Sequence, residues 1–500
     1  MRQDTPQADR SVALASAPAT SAAGGQSDAS ALLPGLPQLG HRVALPRLRK
    51  VAVSASAGRA ALVSIVVGTF ALVAFATAKE SVLVPRSSLS FPHWEAGPLH
   101  FIFGWLTNNA NALNVGLSVL AIVMTVAYAV AVMAIRTFST RTLVVAVVVL
   151  HAILLMSPPL QLTDLFNYLG YARLGAVHHL NPYTHGIASE IHDPVYRFAS
   201  WHRLHTPYGP LFTAISYPIG LLPLPVAYWV LKLLAVLMSL GFVGLVWKCA
   251  RLVGRDPRFA VAFVAFNPIY LIYAVGGFHN DFFMLVPSLG AIALLLSRRD
   301  RTAGAVLMLA VAVKFTAILL LPFLLIAARP PERRLRVLTG VLAATVPLVL
   351  LSIALFGFTI PNLSDQSTLL TDLSVPNLVG LVLGVGGGTA GVLRAANVAL
   401  VLVVLLCLRR KSDWLSGAGW ATLALLASLA WLVPWYILWV LPLAALGSSV
   451  RLRRAALAFT VFLVLSFVPE TGIVLIAHGL NPMGSPVGQA SKALQRRLAG

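Results

Sequence analysis

Asp164 is the residue whose type and position most directly suggest chemistry, because it follows a hydrophobic run by only a few residues. A carboxylate just outside a bilayer can act as a general base when it is partly desolvated and faces a substrate hydroxyl. On a helix over 165–177, Asp164 would share one face with Tyr168 and Tyr171, at positions i, i+4 and i+7. The alternative is structural, since Thr163 or Asp164 can cap the start of that helix. The spacing leaves both roles open.

A second polar cluster follows two glycines in the stretch VGGFHND (275–281), between two hydrophobic segments. The glycines allow a tight turn, and His279, Asn280 and Asp281 come directly after it. Asn280 or Asp281 can cap the next helix, but a cap needs one such residue and here three polar side chains follow one another. The cluster could therefore line a substrate site, and a histidine with carboxylates could also hold a divalent cation.

Lys314 lies inside the apolar run AVAVKFTAILLLP (310–322). An isolated ammonium group within the membrane costs at least a few kcal/mol, so Lys314 needs a partner or must reach towards the interface. A lipid phosphate at the outer headgroup level is one candidate partner. Pairing with Asp164 or Asp281, or snorkelling of the long side chain, is the alternative.

Aromatic and basic side chains meet in two further stretches, WHRLHTPYGPLF (201–212) and VPWYILWVLP (433–442). In the first, His205 and Tyr208 could bind anionic headgroups or stack on a sugar. An aromatic belt at the membrane interface is the alternative there, and it is the main expectation for the second stretch.

The elements that would position these residues are membrane-spanning helices. The chain has 500 residues, of which 58% are hydrophobic and 11% charged, whereas about a quarter of a soluble domain is charged. Several runs reach the roughly 20 apolar residues that cross a bilayer core, and they differ from the ~10-residue alternating segments of a membrane β-barrel. The composition predicts an all-α, polytopic membrane protein.

Many of the Lys and Arg residues behind the net charge of +21 lie in short loops between hydrophobic segments. This is the positive-inside pattern, which orients the spans, and it argues against a nucleic-acid partner. Cys249 and Cys407 are the only cysteines, so no disulfide framework and no cysteine-based metal site is available. The basic loops are RRDR (298–301), RRLR (333–336), RRK (409–411) and RLRR (451–454).

Composition and charge divide the chain into three regions. Residues 1–57 are rich in Ala, Ser, Gly, Pro and Gln without an apolar period, which predicts a disordered tail, and the basic cluster before the first span places this tail in the cytoplasm. Residues 58–478 are predicted to form the membrane domain, with 159–222 as a large external loop that carries surface helices. Residues 479–500 are a short C-terminal tail, predicted on the external side.

The basic loops also constrain the path of the chain, with about 13 spans predicted in all. Two full crossings between the external loop and the basic segment 247–258 would put that segment outside, so 207–222 is predicted to lie in the outer leaflet. The segments 302–328 and 415–448 are each predicted to form a hairpin of two short helices, the first turning near Lys314. Full spans are predicted near 58–78, 113–135, 142–158, 225–247, 259–275, 282–297, 335–357, 390–408 and 455–477.

Acidic residues gather at the predicted outer face, and none lies at the middle of a predicted span. A coupled transporter usually keeps ionisable groups near the bilayer midplane and shows internal symmetry. The pattern therefore favours chemistry at the membrane surface over the alternative, a transporter or flippase for a lipid-linked glycan. The external acidic residues are Glu80, Glu95, Asp164, Glu190, Asp193, Asp281, Asp365 and Asp372.

Four stretches, spread in order over about residues 140–445, resemble the polytopic GT-C glycosyltransferases of actinobacteria. The resemblance is nearest to the α-1,6-mannosyltransferases that depend on polyprenol-phosphomannose and to the mannosyltransferases that extend phosphatidylinositol mannosides. It implies a GT-C-like fold and transfer of a sugar, with mannose expected, from a polyprenyl-phosphate donor to a lipid-linked or cell-envelope glycan acceptor. The stretches are TDLFNYLGYARLGAVHHLNPY, TPYGPLF, NPIYLIYAVGGFHNDFFM and AVKFTAILLLPF.

The resemblance also implies roles for individual residues. Asp164 matches the position of the family's general base. His279, Asn280 and Asp281 match a polar turn that lines the site, and Lys314 matches the family's hairpin lysine.

The implied chemistry is one inverting displacement. The donor phosphate leaves with negative charge, which Lys314 or Arg173 would stabilise, and Tyr168, His205 and Tyr208 complete the predicted substrate-binding set. A polyprenyl-linked sugar cannot leave the bilayer, so the site would face the extracytoplasmic side of the plasma membrane, among membrane lipids. A divalent cation is the one cofactor that stays open.

This chain departs from the family pattern at its N-terminal end. The family generally has one span before the catalytic loop, whereas three are predicted here. Glu80 or Glu95, in the first external loop, could therefore compete with Asp164 for the role of base.

Overall fold

A computed structural model describes residues 53–78, 83–84, 91–106, 109–161, 164–359, 361 and 368–500. Across these residues the fold is all-α and contains no β-strand, as the composition predicts. Most of the predicted cytoplasmic tail, 1–57, lies outside the described residues, and so do Glu80, Thr163 and Asp365.

The secondary structure is a succession of α-helices joined by short turns. The α-helices of the described residues are α1 (Ala55–Ala76), α2 (His93–Ala96), α3 (His100–Phe103), α4 (Ala110–Met133), α5 (Thr140–Leu155), α6 (Asp164–Ala176), α7 (Pro210–Gly220), α8 (Leu224–Leu252), α9 (Pro257–Ala265), α10 (Asp281–Leu296), α11 (Asp300–Val313), α12 (Leu321–Ala327), α13 (Pro331–Phe356), α14 (Val375–Val382), α15 (Ala390–Leu408), α16 (Trp414–Ser428), α17 (Leu441–Leu446), α18 (Val450–Phe467), α19 (Pro469–Ala477) and α20 (Pro486–Ala499). A π-helical turn covers Tyr270–Val275, and 3-10 turns cover Ile135–Thr137, Ile187–Ser189, Tyr196–Phe198, Phe315–Leu320 and Pro434–Trp439.

Five of the described helices, α1, α4, α8, α13 and α15, are long and apolar enough to cross a membrane. They coincide with predicted spans, because an uninterrupted apolar run of this length satisfies its backbone hydrogen bonds only as a helix. The other predicted spans are shorter or broken helices, so the total of about 13 stays a prediction.

The predicted span over 455–477 is bent near its outer end. Helix α18 ends at Phe467, and α19 begins at Pro469 with an axis turned by 72°. Proline has no N–H with which to continue the hydrogen-bond ladder of α18. The segment is therefore a bent pair rather than one straight crossing.

Both segments that were predicted to form short hairpins consist of two short helices joined by a break. Helix α11 ends before Lys314, whose backbone is extended (φ −143°, ψ 122°), and the turn Phe315–Leu320 leads into α12. Helix α16 ends at Ser428, and the turn Pro434–Trp439 leads into α17. Both breaks open onto one cavity, so the interruptions bring polar and aromatic side chains together inside an otherwise apolar bundle.

The predicted external loop contains α6 and α7, which pack against each other. Helix α7 has 11 residues, about half of what a bilayer core requires, which agrees with the prediction that 207–222 does not cross. Arg203 N donates to Leu498 O at 2.9 Å, so the C-terminal helix α20 lies on the same side as this loop. The predicted C-terminal tail therefore contains a helix that packs on the loop.

Candidate active site

One cavity collects several of the residues that the sequence singles out. It has a volume of about 230 Å³ and lies between α6, the loop before α7, the break at Lys314 and the turn Pro434–Trp439. Asp164, Tyr168 and Tyr208 line it together with Lys314. The other lining residues are Asn167, Tyr171, Trp201, Leu204, Pro207, Phe315, Thr316, Leu369, Trp431, Val433, Trp435, Tyr436 and Trp439.

Asp164 is the first residue of α6 and faces this cavity with 16% of its side chain exposed. Burial raises the pKa of its carboxyl group to about 6, the positive charge of Lys314 opposes this rise, and the negative charge of Asp281 adds to it. A carboxylate with a pKa near neutrality is well suited to accept a proton from a substrate. Its place in the first helical turn also suits the helix dipole, so a structural role and a chemical role are compatible at this position.

His279 lies behind Asp164, shielded from solvent. Its Nδ1 atom is 3.5 Å from Asp164 Oδ2 and 3.4 Å from the hydroxyl of Tyr168, and its ring stacks on Trp435 with the centroids 3.8 Å apart. Burial, together with the charge of Lys314, lowers the pKa of His279 well below its usual value. The imidazole is therefore neutral at physiological pH. It can orient the carboxylate of Asp164 without placing a positive charge next to it.

Asn280 links the same turn to Tyr168. The backbone N–H of Asn280 donates to the hydroxyl of Tyr168 at 3.4 Å, and that hydroxyl donates to Asn280 Oδ1 at 3.5 Å. Asn280 Nδ2 and His279 Nε2 are buried and have no hydrogen-bond partner within the described residues. Unpaired buried polar atoms are rare, and two in one turn indicate that the turn does more than cap a helix.

Asp281 is fully buried and holds Lys314 in place. Lys314 Nζ lies 2.7 Å from Asp281 Oδ2, and the indole N–H of Trp439 donates to Asp281 Oδ1 at 2.8 Å. The ammonium also lies 5.6–5.9 Å from the ring centroids of Tyr208, Tyr436 and Trp439. Pairing with Asp281 was one predicted alternative for Lys314, and the structure shows this pair with the ammonium still at the cavity.

The glycines before this turn are needed for close packing. A Cβ atom on Gly277 would lie 2.3 Å from Tyr273 O and 2.7 Å from His279 Nε2. The next residue, Phe278, adopts a left-handed backbone conformation with φ 52°, which is uncommon for a bulky side chain. The turn is thus held in a tight shape that presents three polar residues in succession.

A divalent cation has little room among these ligands. Both carboxylate oxygens of Asp281 accept hydrogen bonds, from Lys314 and from Trp439. Within the described ranges, no group of three or more His, Cys, Asp or Glu side chains is placed to hold a metal ion. The donor set around Asp281 suits an ammonium partner.

Arg173 and His205 are not among the residues that line the cavity. Arg173 Nε donates to both carboxylate oxygens of Asp193 at 2.9 Å, and its Nη1 donates to Gly220 O at 3.0 Å. Despite burial, these hydrogen bonds and one from His178 hold the pKa of Asp193 below its usual value. In this placement the guanidinium group of Arg173 ties α6 to the end of α7, and its predicted contact with the donor phosphate stays a prediction.

Glu95 does not line the cavity either, although it was a predicted rival for the role of base. It is buried in α2, and its backbone carbonyl accepts a hydrogen bond from the hydroxyl of Tyr228 at 2.9 Å. The neighbouring Trp94 O accepts from the indole of Trp229 at 2.9 Å. These contacts attach α2 to α8.

Sequence reasoning missed three tryptophans of the cavity wall, Trp201, Trp431 and Trp439. Trp439 lies in a stretch that was interpreted mainly as an interfacial belt, although its N–H satisfies the buried Asp281. The spacing of Trp435, Tyr436 and Trp439 over one helical turn was the available signal, since it places three aromatic rings at one break.

An apolar groove adjoins the cavity. Thr316 and Trp439 line both spaces, so the groove meets the polar cavity next to Lys314. Its other walls come from α10, the break after Lys314, α16 and α17, with the residues Met284, Leu285, Ser288, Leu289, Ile292, Ala317, Leu319, Leu320, Thr422, Leu425, Pro442 and Leu443. The site thus combines a carboxylate, a cation and an adjoining apolar surface.

Comparison with known proteins gives two family matches. Residues 55–329 match the family described as "Alpha-(1->6)-mannopyranosyltransferase, N-terminal domain", and residues 370–480 match the "MptB C-terminal domain". The first match covers more than half of the chain and contains Asp164, the turn 275–281 and Lys314. No solved structure matches the chain.

The individual relatives share 23–30% sequence identity with this chain over the matched residues. Alpha-(1->6)-mannopyranosyltransferase A of Mycobacterium tuberculosis is 26% identical over 351 residues, which cover 63% of this chain and 67% of the relative. Alpha-(1->6)-mannopyranosyltransferase A of Corynebacterium glutamicum is 30% identical over 189 residues, 34% of this chain and 35% of the relative. Alpha-(1->6)-mannopyranosyltransferase B of the same organism is 23% identical over 360 residues, 61% of this chain and 59% of the relative. The matched stretches thus span about two thirds of these relatives or less.

Proposed function

Because this chain belongs to the alpha-(1->6)-mannopyranosyltransferase family, we propose that it moves mannose from a polyprenyl-phosphate donor to a hydroxyl of a lipid-linked or cell-envelope glycan. Family membership identifies the chain as a mannosyltransferase, and its long apolar helices identify it as a membrane protein. The donor, the acceptor, the inverting course and the outer-leaflet site at the plasma membrane are the proposed refinements. The family's enzymatic character also sets aside the transporter alternative.

The observation that carries the proposal is the joint placement of Asp164 and Lys314 in one cavity that meets an apolar groove. A polyprenyl chain needs an apolar path, and a departing phosphate needs a nearby positive charge. The groove meets the cavity at Thr316, two residues after Lys314, and at Trp439, whose ring centroid lies 5.9 Å from Lys314 Nζ. This arrangement supports a donor with a lipid tail and a phosphate.

The reaction is a single displacement at the anomeric carbon. The acceptor oxygen forms a bond to this carbon while the bond from the carbon to the phosphate oxygen breaks, and the phosphate leaves with the electron pair. Asp164 accepts the proton of the acceptor hydroxyl, and the ammonium of Lys314 stabilises the negative charge on the phosphate. Because attack and departure occur on opposite faces, a β-linked phosphosugar gives an α-glycoside.

The neighbouring residues hold these two groups in position. His279 and Tyr168 lie against the inner side of Asp164, and Asp281 with Trp439 fixes Lys314. Positioned groups of this kind lower the barrier because little reorganisation is needed when charge develops.

Transfer from radiolabelled polyprenyl-phosphate mannose, in membranes that contain the full chain, tests the proposal. Asp164→Asn keeps the size of the side chain but removes the base, so we expect the rate to fall about 10²- to 10⁴-fold. Asp372→Asn is the matched control, because Asp372 is an exposed carboxylate outside the cavity. Full activity of Asp164→Asn would show that the base is another group, and absence of product with the wild type would show that the donor is wrong.

A further inference from the structure

The C-terminal helix α20 supports one wall of the cavity from outside. Leu498 and Leu494 of this helix pack in an apolar cluster with cavity-lining side chains. We call these side chains the rim cluster, which consists of Trp201, Leu204, Leu369 and Trp431.

Polar contacts fasten α20 to two separate segments of this wall. Arg203 N donates to Leu498 O at 2.9 Å, and Leu370 N donates to Ser491 Oγ at 2.8 Å. The helix therefore bridges two parts of the chain that are distant in sequence and that both contribute to the rim cluster. Removing the helix contacts would free both parts at once.

The two tryptophans of the rim cluster are held close to the proposed base. The rings of Trp201 and Trp431 pack edge to face, with centroids 5.9 Å apart and an angle of 80°. Trp201 N donates to Asn167 Oδ1 at 3.2 Å, and Asn167 lies on α6 one turn after Asp164. Both indoles are only partly buried, so part of each ring is available to a molecule in the cavity.

We infer that Trp201 and Trp431 form a subsite for the sugar of the acceptor, and that α20 keeps this subsite in shape. The C–H groups on one face of a pyranose pack well on an indole ring, and the sugar hydroxyls remain free to meet polar groups such as Asp164. The donor's phosphate and lipid are assigned to Lys314 and to the groove at Thr316, which leaves the rim cluster for the second substrate. This inference rests on the proposed function for the identity of that substrate.

The family comparison does not account for this support. The second match ends at residue 480, whereas α20 begins at Pro486. Helix α20 therefore lies outside both matched regions, whereas Trp201, Leu204 and Trp431 of the rim cluster lie inside them.

The test measures sugar binding and turnover separately, on the purified full chain in detergent. The probe is an α-(1→6)-linked mannotriose, whose binding is followed by ligand-observed NMR without donor. We expect Trp431→Ala and Leu498→Ala to weaken its binding about tenfold, the effect of losing one aromatic stacking contact. In turnover assays the same variants should raise KM for the trisaccharide and leave KM for the donor within twofold.

Matched variants separate the subsite from general damage to the fold. Leu498→Met keeps the side-chain volume and should bind the trisaccharide like the wild type, and so should Ala493→Ser on the exposed face of α20. Unchanged trisaccharide binding in Trp431→Ala and Leu498→Ala, or an equal rise in both KM values, overturns the inference. Trisaccharide binding by a wild type that does not turn over the donor contradicts the proposed function and leaves the subsite standing, whereas no binding by the wild type overturns the subsite.

Discussion

Lys314 Nζ lies 2.7 Å from Asp281 Oδ2, in an ion pair that joins the break after α11 to the first residue of α10. Asp281 is fully buried, whereas 15% of the Lys314 side chain is exposed and faces the cavity. The carboxylate therefore serves to position a cation and is not available as the base. Among the described residues that line the cavity, Asp164 is the carboxylate placed to meet a substrate hydroxyl.

Replacing Lys314 by Met should impair both the chemical step and the fold, because it also leaves the fully buried carboxylate of Asp281 without its positive partner, at a cost of about 3–5 kcal/mol. Met keeps an unbranched chain of similar length but removes the positive charge that is proposed to stabilise the leaving phosphate, so we expect kcat of the folded fraction to fall about 10²- to 10³-fold. Lys411→Met is the control, since Lys411 is an exposed lysine of a basic loop. Single-turnover transfer from the donor measures the effect, and a kcat within threefold of wild type would remove Lys314 from the mechanism.

Asp281→Asn should instead act mainly on stability. The amide leaves the ammonium of Lys314 without its negative partner in a buried place, and breaking such a pair costs about 3–5 kcal/mol. We expect a lower Tm and, in a double-mutant cycle with Lys314→Met, strong non-additivity. Additive effects on Tm would show that the two residues act independently.

The pH profile of transfer should report the state of Asp164. Its carboxyl group must be deprotonated to accept a proton, and its pKa is raised to about 6. We therefore expect kcat/KM to fall about tenfold per pH unit below pH 6 and to level off above it. Because Lys314 lowers this pKa, Lys314→Met should move the acid limb to higher pH. A limb near pH 4, the range of an ordinary carboxyl group, would contradict the burial of the base.

The local sequence was sufficient to predict the parts of the candidate site at which a polar residue interrupts or ends a hydrophobic segment. Asp164, the turn at 279–281 and Lys314 are polar groups in or beside hydrophobic segments, where each one is costly and needs a reason. The short hairpins followed from the same reasoning, because basic loops on both sides of 302–328 forced the chain to return. Each of these predictions depends on a polar or basic residue and on the hydrophobic segment directly next to it in the sequence.

The remaining features depend on contacts between distant segments, which no local pattern encodes. Arg173 looked like a phosphate ligand because its partner Asp193 reaches it only through the fold of the external loop. Trp439 looked like part of a belt because its acceptor, Asp281, lies on another helix. The docking of α20 against Arg203 likewise joins the C-terminal helix to the external loop.

Arg173→Met should therefore lower stability without changing the chemistry. The Arg173–Asp193 pair is largely buried, with 13% and 3% of the two side chains exposed, and loss of one partner costs about 3–5 kcal/mol. We expect a clear drop in Tm, with kcat and donor KM of the folded fraction within about twofold of wild type. A donor KM raised tenfold or more would restore Arg173 as a phosphate ligand.

Lys232 provides the last prediction, because it connects α8 to the turn that carries His279. It is fully buried, its Nζ donates to Ser157 O at 2.7 Å, and it lies 4.8 Å from the ring centroid of Phe278. Phe278 precedes His279 and has the left-handed backbone conformation that shapes the turn. The amino group packs against the rings of Phe278 and Trp229, 4.8 Å and 3.8 Å from their centroids, so we expect Lys232 to act on the site through the turn and not through substrate.

Lys232→Met keeps the apolar part of the side chain. It removes the amino group, which donates to Ser157 O and lies beside the ring of Phe278. An unpaired buried carbonyl costs about 1–3 kcal/mol, so Tm should fall modestly. If the turn relaxes, kcat should fall several-fold while donor KM stays within twofold, because the phosphate contact at Lys314 is unchanged. Lys248→Met is the matched control, since Lys248 is exposed on the same helix. If Tm falls and kcat does not change, Lys232 contributes to packing only. Such a result would mean that the turn 275–281 keeps its shape without the amino group of Lys232.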